Sequence, residues 1–160
     1  MVKAAIGKTA ATIGMRVSKA ASAEPSFERR LLQVAILVGG LVPVGAGLAG
    51  GVLGAHAFAP APHDIALDSH VRYLSGLLLA IGLIFWRAIP TIELQGARVR
   101  LLTFIVFMGG LARLFGIASQ GSPGAAMLFG LTMELAVTPA LCLWQMRVAG
   151  LYAHAAELPY

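Results

Sequence analysis

Acidic residues are scarce in this chain: Asp and Glu number 7 in 160 residues, against 12 Lys and Arg, and charged residues make up only 12% of the whole. An ordinary soluble domain carries roughly 25% charge, so a water-facing surface of normal extent is excluded. Cysteine occurs once, as Cys142, which leaves no intramolecular disulfide and no thiolate metal cluster to be built from this chain. Lying within an apolar run, Cys142 is expected to be a small core or lipid-facing residue. Also missing are a Gly-rich phosphate loop, a nucleophile elbow, a metalloprotease helix and a zinc-ligand spacing. No catalytic residue, no metal and no cofactor is therefore assigned, and the balance leans away from an enzyme.

What the chain has in excess is apolar sequence, at 58% hydrophobic residues and a mean hydropathy of +0.82. The length accommodates about four spanning helices of ~20 residues with short connections and no further soluble domain. A net charge of +5 does not point to nucleic acid, because the basic residues flank apolar runs instead of forming one polar face. The expected fold is all-α: a four-helix membrane bundle over residues 31–148, preceded by a basic segment, 1–30, and followed by a short tail, 149–160.

The first thirty residues hold Lys3, Lys8, Arg16, Lys19, Arg29 and Arg30 against Glu24 and Glu28. At about 100° per residue Val2, Ile6, Ile13 and Val17 share one arc, with Lys8, Arg16 and Lys19 opposite. This predicts a basic amphipathic helix, weakened by Gly7 and Gly14, that orders on a membrane surface or a partner. The composition also suits a mitochondrial transit peptide, although retention is expected. Ser22 to Ser26, with Pro25, reads as the break before the first span.

The spans are expected at about Leu31–Ala57, with a kink at Pro43, Val71–Ile89, Leu101–Ser119 and Gly124–Met146. Asp68 or Ser69 would cap the second, and Ser122 with Pro123 at N1 would open the fourth. Gly40, Gly47 and Gly54 recur every seven residues. Gly47 with Gly51, and Gly50 with Gly54, make small-xxx-small pairs, for packing within the molecule or against another subunit. Lys and Arg counting puts ten of the twelve cations on one side with both termini, which predicts an N-in, C-in topology with Trp86 and Trp144 at the inner interface.

Two charges interrupt the apolar runs, Arg113 in the third span and Glu134 in the fourth. An ionised side chain at hydrocarbon depth costs several kcal/mol, ~2.5–3.5 on insertion scales, without a partner or water. Arg113 lies about 10 Å and Glu134 about 15 Å below the outer helix ends. On antiparallel neighbours these depths suit a buried pair. Arg72, entering from the second helix beside Asp68, His70 and Tyr73, is expected to overlook the same pocket and to leave one positive charge for an anion, with guanidinium suited to an oxyanion. The alternatives are a purely structural clasp and a proton relay through Glu134. His56, His63 and His70 also recur every seven residues, but Pro60 and Pro62 interrupt any helix between them; solvated loop residues are expected, not haem or chlorophyll ligands.

Arg30-Leu31-Leu32, Pro43, Asp68-Ser69-His70-Val71-Arg72-Tyr73, Gly109-Gly110-Leu111-Ala112-Arg113, Gly121-Ser122-Pro123, Glu134-Leu135, Pro139 and Trp144 together resemble a bacterial membrane family catalogued as domain of unknown function 4345. The resemblance spans about Leu31 to Val148. It implies a four-helix integral membrane protein with Arg72, Arg113 and Glu134 at positions of the family pattern, and it implies no activity. The amphipathic N-terminal segment lies outside it.

Two functional expectations follow. The first is an accessory or scaffolding subunit of a larger membrane complex, in the bacterial inner membrane or, alternatively, the mitochondrial inner membrane, with the lipid bilayer and other membrane subunits as partners. The second is a binder or transporter of a small anionic ligand or phospholipid, held by Arg72, Arg113, Glu134, Asp68, His70 and Tyr73. An enzyme acting on lipid headgroups ranks third.

Overall fold

The computed structural model describes the backbone of residues 2–58, 64–121 and 124–157, and the side chains from 26 to 156 within them. Helix α1 spans Val2–Leu53 and tightens into a 3-10 turn, Gly54–Ala57. Helix α2 (Ile65–Ala88) leads through a 3-10 turn at Ile89–Leu94 into α3 (Gly96–Gln120). Helix α4 (Ala125–Thr132) passes through a π-turn at Met133–Val137 into α5 (Thr138–Glu157). Among the described residues four segments are long and apolar enough to cross a membrane: Ser26–Ala57, Ile65–Leu94, Gly96–Gln120 and Ala125–Ala156. In hydrocarbon every backbone N–H and C=O needs a partner within the chain, and a helix supplies it locally.

The helices outrun the apolar runs that announced them. Helix α2 starts at Ile65 and not at Val71, so Asp68 and Ser69 lie inside the first turns; the N-cap is Asp64, whose side chain makes no capping bond. Apolar composition marks the hydrocarbon layer, whereas a helix continues beyond it into the headgroup region. At the N-terminus α1 runs unbroken through Pro25, where a break was expected, and through Pro43. A proline removes one i→i−4 bond but leaves the remaining ladder in place. Helix α5 continues to Glu157, so most of the expected tail is helical. Ser122, Pro123 and His63 lie outside the described residues.

Glycine sets the contact between α1 and α2. A Cβ at Gly47 would lie 2.7 Å from the Leu79 backbone nitrogen, and one at Gly40 would enter the Trp86 ring. Across the seam, a Cβ at Gly82 would meet Val44 at 2.7 Å. The seven-residue glycine face is thus covered by α2 within the same molecule. Gly51 stands apart, with nothing within 4 Å of where its Cβ would be.

Helix α5 packs against α1 and α3, so the helices follow one another in the order α2, α1, α5, α3 around the bundle, with α2 touching α3 more lightly. The core lies at the end of the bundle that carries Arg29 and Arg147. Leu32, Ile36, Ala88, Ile92, Val99, Cys142 and Val148 are buried there, with Phe85, Ile89, Leu141, Trp144 and Tyr152 packed around them. Its organising feature is the Ile89–Leu94 turn, in which Thr91 leaves helical geometry (φ −127°, ψ 40°). Three side chains from other helices satisfy carbonyls of this turn. Gln33 donates to Ile89 O at 2.8 Å, Arg29 to Pro90 O at 2.5 Å, and Gln145 to Ile92 O at 2.9 Å. Gln145 is fully buried, and truncating it would remove this cross-helix bond, leave the Ile92 carbonyl only the Gln95 N–H at 3.2 Å, and open a cavity. Gln145→Ala is therefore expected to lower unfolding stability in detergent micelles by about 2 kcal/mol.

Candidate functional site

The intramembrane pair forms. Arg113 Nε and Nη2 donate to Glu134 Oε2 and Oε1 at 3.0 and 2.9 Å, a two-pronged arrangement that matches the guanidinium fork to the carboxylate. Arg113 Nη1 points to Met127 Sδ at 2.9 Å. The side chains keep 34% and 19% of their surface exposed, so the pair lies in the wall of the bundle and not in its centre.

Two sequence features place Glu134 against α3. Gly110 gives the close approach: a Cβ there would meet Leu135 at 2.6 Å and Glu134 Cβ at 2.9 Å. The π-turn sets the angle. Pro139 has no N–H to offer, and just before it Thr138 directs both its backbone N–H and its hydroxyl, the latter at 2.8 Å, to Met133 O five residues back. This widens the helix by one residue across Met133–Val137, a distortion that recurs where a side chain must be re-aimed.

Arg72 does not complete this pocket. Its Nε donates to Asp68 Oδ2 at 2.7 Å, and its Nη1 donates to Gly51 O and Val52 O, each at 2.9 Å. Asp68 Oδ1 accepts the backbone N–H of Ala55 at 2.9 Å. Together the two side chains close the end of α1, where Gly54 turns the chain at φ +62°. Terminal carbonyls of a helix carry partial negative charge and attract a cation, so Arg72 is engaged by α1 itself. His70 and Tyr73 point outward as exposed residues. The six expected site residues thus divide into an Asp68–Arg72 clamp, an Arg113–Glu134 pair and two outward side chains.

Residues 31–145 match the pattern described as Domain of unknown function (DUF4345). The chain belongs to this family. The DUF4345 region contains both charged clusters and ends at the buried Gln145, while the N-terminal half of the 52-residue α1 lies outside it. No curated protein and no solved structure matches the chain.

One cluster, mostly outside the matched region, was missed by sequence reasoning. Arg29 Nε donates to Glu93 at 2.7 Å, and Arg147 pairs with Glu28 at 2.8 Å, tying α1 to the turn after α2 and to α5. Glu93 lies between Asp68 and Glu134 with no other acid in that stretch, and in a protein this poor in acids that was a usable signal. Among the described residues no three of His, Cys, Asp and Glu are grouped so as to hold a metal ion.

Proposed function

We propose that this DUF4345 protein is a non-enzymatic subunit that packs against other helices in the bilayer through its fourth span, with both termini on the cytoplasmic or matrix side. The carrying observation is how little that span is covered: 6% of its most apolar stretch is buried, against 28% for the first span. Its outward face presents Thr132, Ala136 and Ala140, all exposed, between Phe129 and Leu143 at 56% and 67% exposure. Small residues four apart let a second backbone approach closely, which is how helices associate where no hydrophobic driving force acts between them. The seven-residue glycine spacing of α1 no longer supports a partner face, since α2 covers Gly40 and Gly47. Both charged clusters are internally paired, leaving neither Arg72 nor Glu134 poised for chemistry.

Extraction of native membranes in a mild detergent, followed by native mass analysis, tests the proposal. The chain is expected to carry companion subunits at fixed stoichiometry, and Ala136→Phe with Ala140→Phe to release them while leaving it folded. A bare monomer, or a complex indifferent to these substitutions, refutes it.

One observation favours the second reading, an anionic ligand or lipid at Arg113. Among the described residues its Nη1 meets only a thioether, a weak acceptor that an oxyanion would outcompete. Arg113→Leu with Glu134→Leu should then abolish binding of that ligand with the fold intact.

A further inference from the structure

Arg29, Arg72, Arg113 and Arg147 are taken up in ion pairs. The two acids beside the core, Glu28 and Glu93, are partners in these pairs. Arg30, Arg87, Arg98 and Arg100 are exposed, and none forms an ion pair among the described residues. All four lie toward the end of the bundle that carries the core. Arg30 opens the apolar part of α1, Arg87 precedes the last residue of α2, and Arg98 and Arg100 belong to the first turns of α3.

Their sideways distribution is broad. Residues two apart on a helix diverge by about 200°, so Arg98 and Arg100 leave α3 on nearly opposite sides, while Arg30 and Arg87 project from other helices. A flat partner surface meets one sector of such an arrangement, but a lipid leaflet surrounds all of it. The start of α3 adds to this positive field, since Glu93, three residues before it, is taken up by Arg29. The first turn of α3 has no acidic residue and no side-chain cap, so the positive end of the helix dipole adds to Arg98 and Arg100 instead of being offset. Immediately beyond this level the surface turns apolar, with Leu101 and Phe104 at 61% and 62% exposure and Leu83 at 47%. Anionic headgroup above acyl chain reproduces that order of polarity.

We propose that Arg30, Arg87, Arg98 and Arg100 form a belt that binds the phosphates of anionic phospholipids in the leaflet at the N-terminal end of the bundle. Guanidinium donates two parallel hydrogen bonds to a phosphate. Each cation near an anionic leaflet contributes roughly a fivefold preference, which salt weakens. The belt shares no residue with the outward stripe of the fourth span, so the two proposals fail separately.

The test is native mass spectrometry of the full chain titrated with phosphatidylglycerol and phosphatidylcholine of the same acyl chains. The wild type is expected to retain phosphatidylglycerol with at least roughly tenfold preference. R30Q/R87Q/R98Q/R100Q should bring that preference near parity at an unchanged melting temperature. Raising ionic strength about tenfold should do the same to the wild type, a readout that needs no variant. The proposal is overturned if the wild type shows no preference, if the preference survives both treatments, or if the arginines prove to hold an acidic protein in place of the lipid.

Discussion

Glu134→Leu is expected to destabilise the protein by about 3–5 kcal/mol, as is Arg113→Leu, whereas the double substitution should come within about 1 kcal/mol of the wild type. Each single change strands one charge at depth. Arg113 lies seven residues from the end of α3 and Glu134 nine from the start of α4, about 10 and 14 Å along the axes. The surface they expose adjoins exposed apolar residues, Leu114 on α3 among them, so in a bilayer lipid and not water would meet the unpaired group. Removing both charges abolishes the desolvation cost together with the attraction, and two leucines fill similar volume. Unfolding in mixed micelles, arranged as a double-mutant cycle, measures the coupling. A double variant as unstable as either single one would mean that the pair supports the π-turn through more than charge. Harmless single variants would mean that it is hydrated and does not lie at hydrocarbon depth.

That pair was legible in the sequence because it depended on local facts: one charge in each of two apolar runs, joined by a short turn. The detail that aims Glu134 was less legible. The π-turn follows from Thr138-Pro139 acting on Met133 O, and proline in a membrane helix is equally compatible with a break or with none, as the unbroken course of α1 through Pro43 and Pro25 illustrates. Arg72 was misplaced for a different reason. Its acceptors, Gly51 O and Val52 O, are backbone atoms some twenty positions away, and side-chain chemistry alone does not reveal which helix end will lie within reach. Asp68 was read as a cap for its own helix, yet it accepts the N–H of Ala55 on the preceding one. Glycine spacing, in turn, announced a close contact without naming the helix that would take it.

The two ends of the molecule hold together by different means, which bears on where substitutions matter. Around the core, side-chain amides and arginines satisfy the carbonyls of an irregular turn, so polar residues are structural there. Toward the other end α1 and α2 stay together through the absence of side chains, with Arg72 and Asp68 closing the top. The α4 part of the fourth span has fewer contacts, resting on α3 and on its own π-turn. Motion is therefore expected to concentrate in α4, on the span that the proposed partner would cover.

The second large effect is expected at the glycine seam. Gly47→Leu should destabilise the protein by about 3 kcal/mol, near the upper end of the usual range for overpacking, while Gly45→Leu, two residues away, should be neutral or slightly stabilising. The obstacle at Gly47 is backbone: the Leu79 nitrogen would stand 2.7 Å from the new Cβ, with Leu79 Cα at 2.8 Å. A side chain could rotate away, but a helix backbone has to translate. Such a shift would also disturb Gly40 against Trp86, whose indole N–H donates to Leu37 O at 3.1 Å, and the Arg72 bonds to the end of α1. At Gly45 nothing lies within 4 Å, and leucine is the better helix former by nearly 1 kcal/mol. Thermal unfolding of both variants in the same detergent decides the matter. Equal losses would mean that the penalty arises from the substitution itself and not from the seam, and two neutral results would mean that α1 and α2 are not in contact at Gly47.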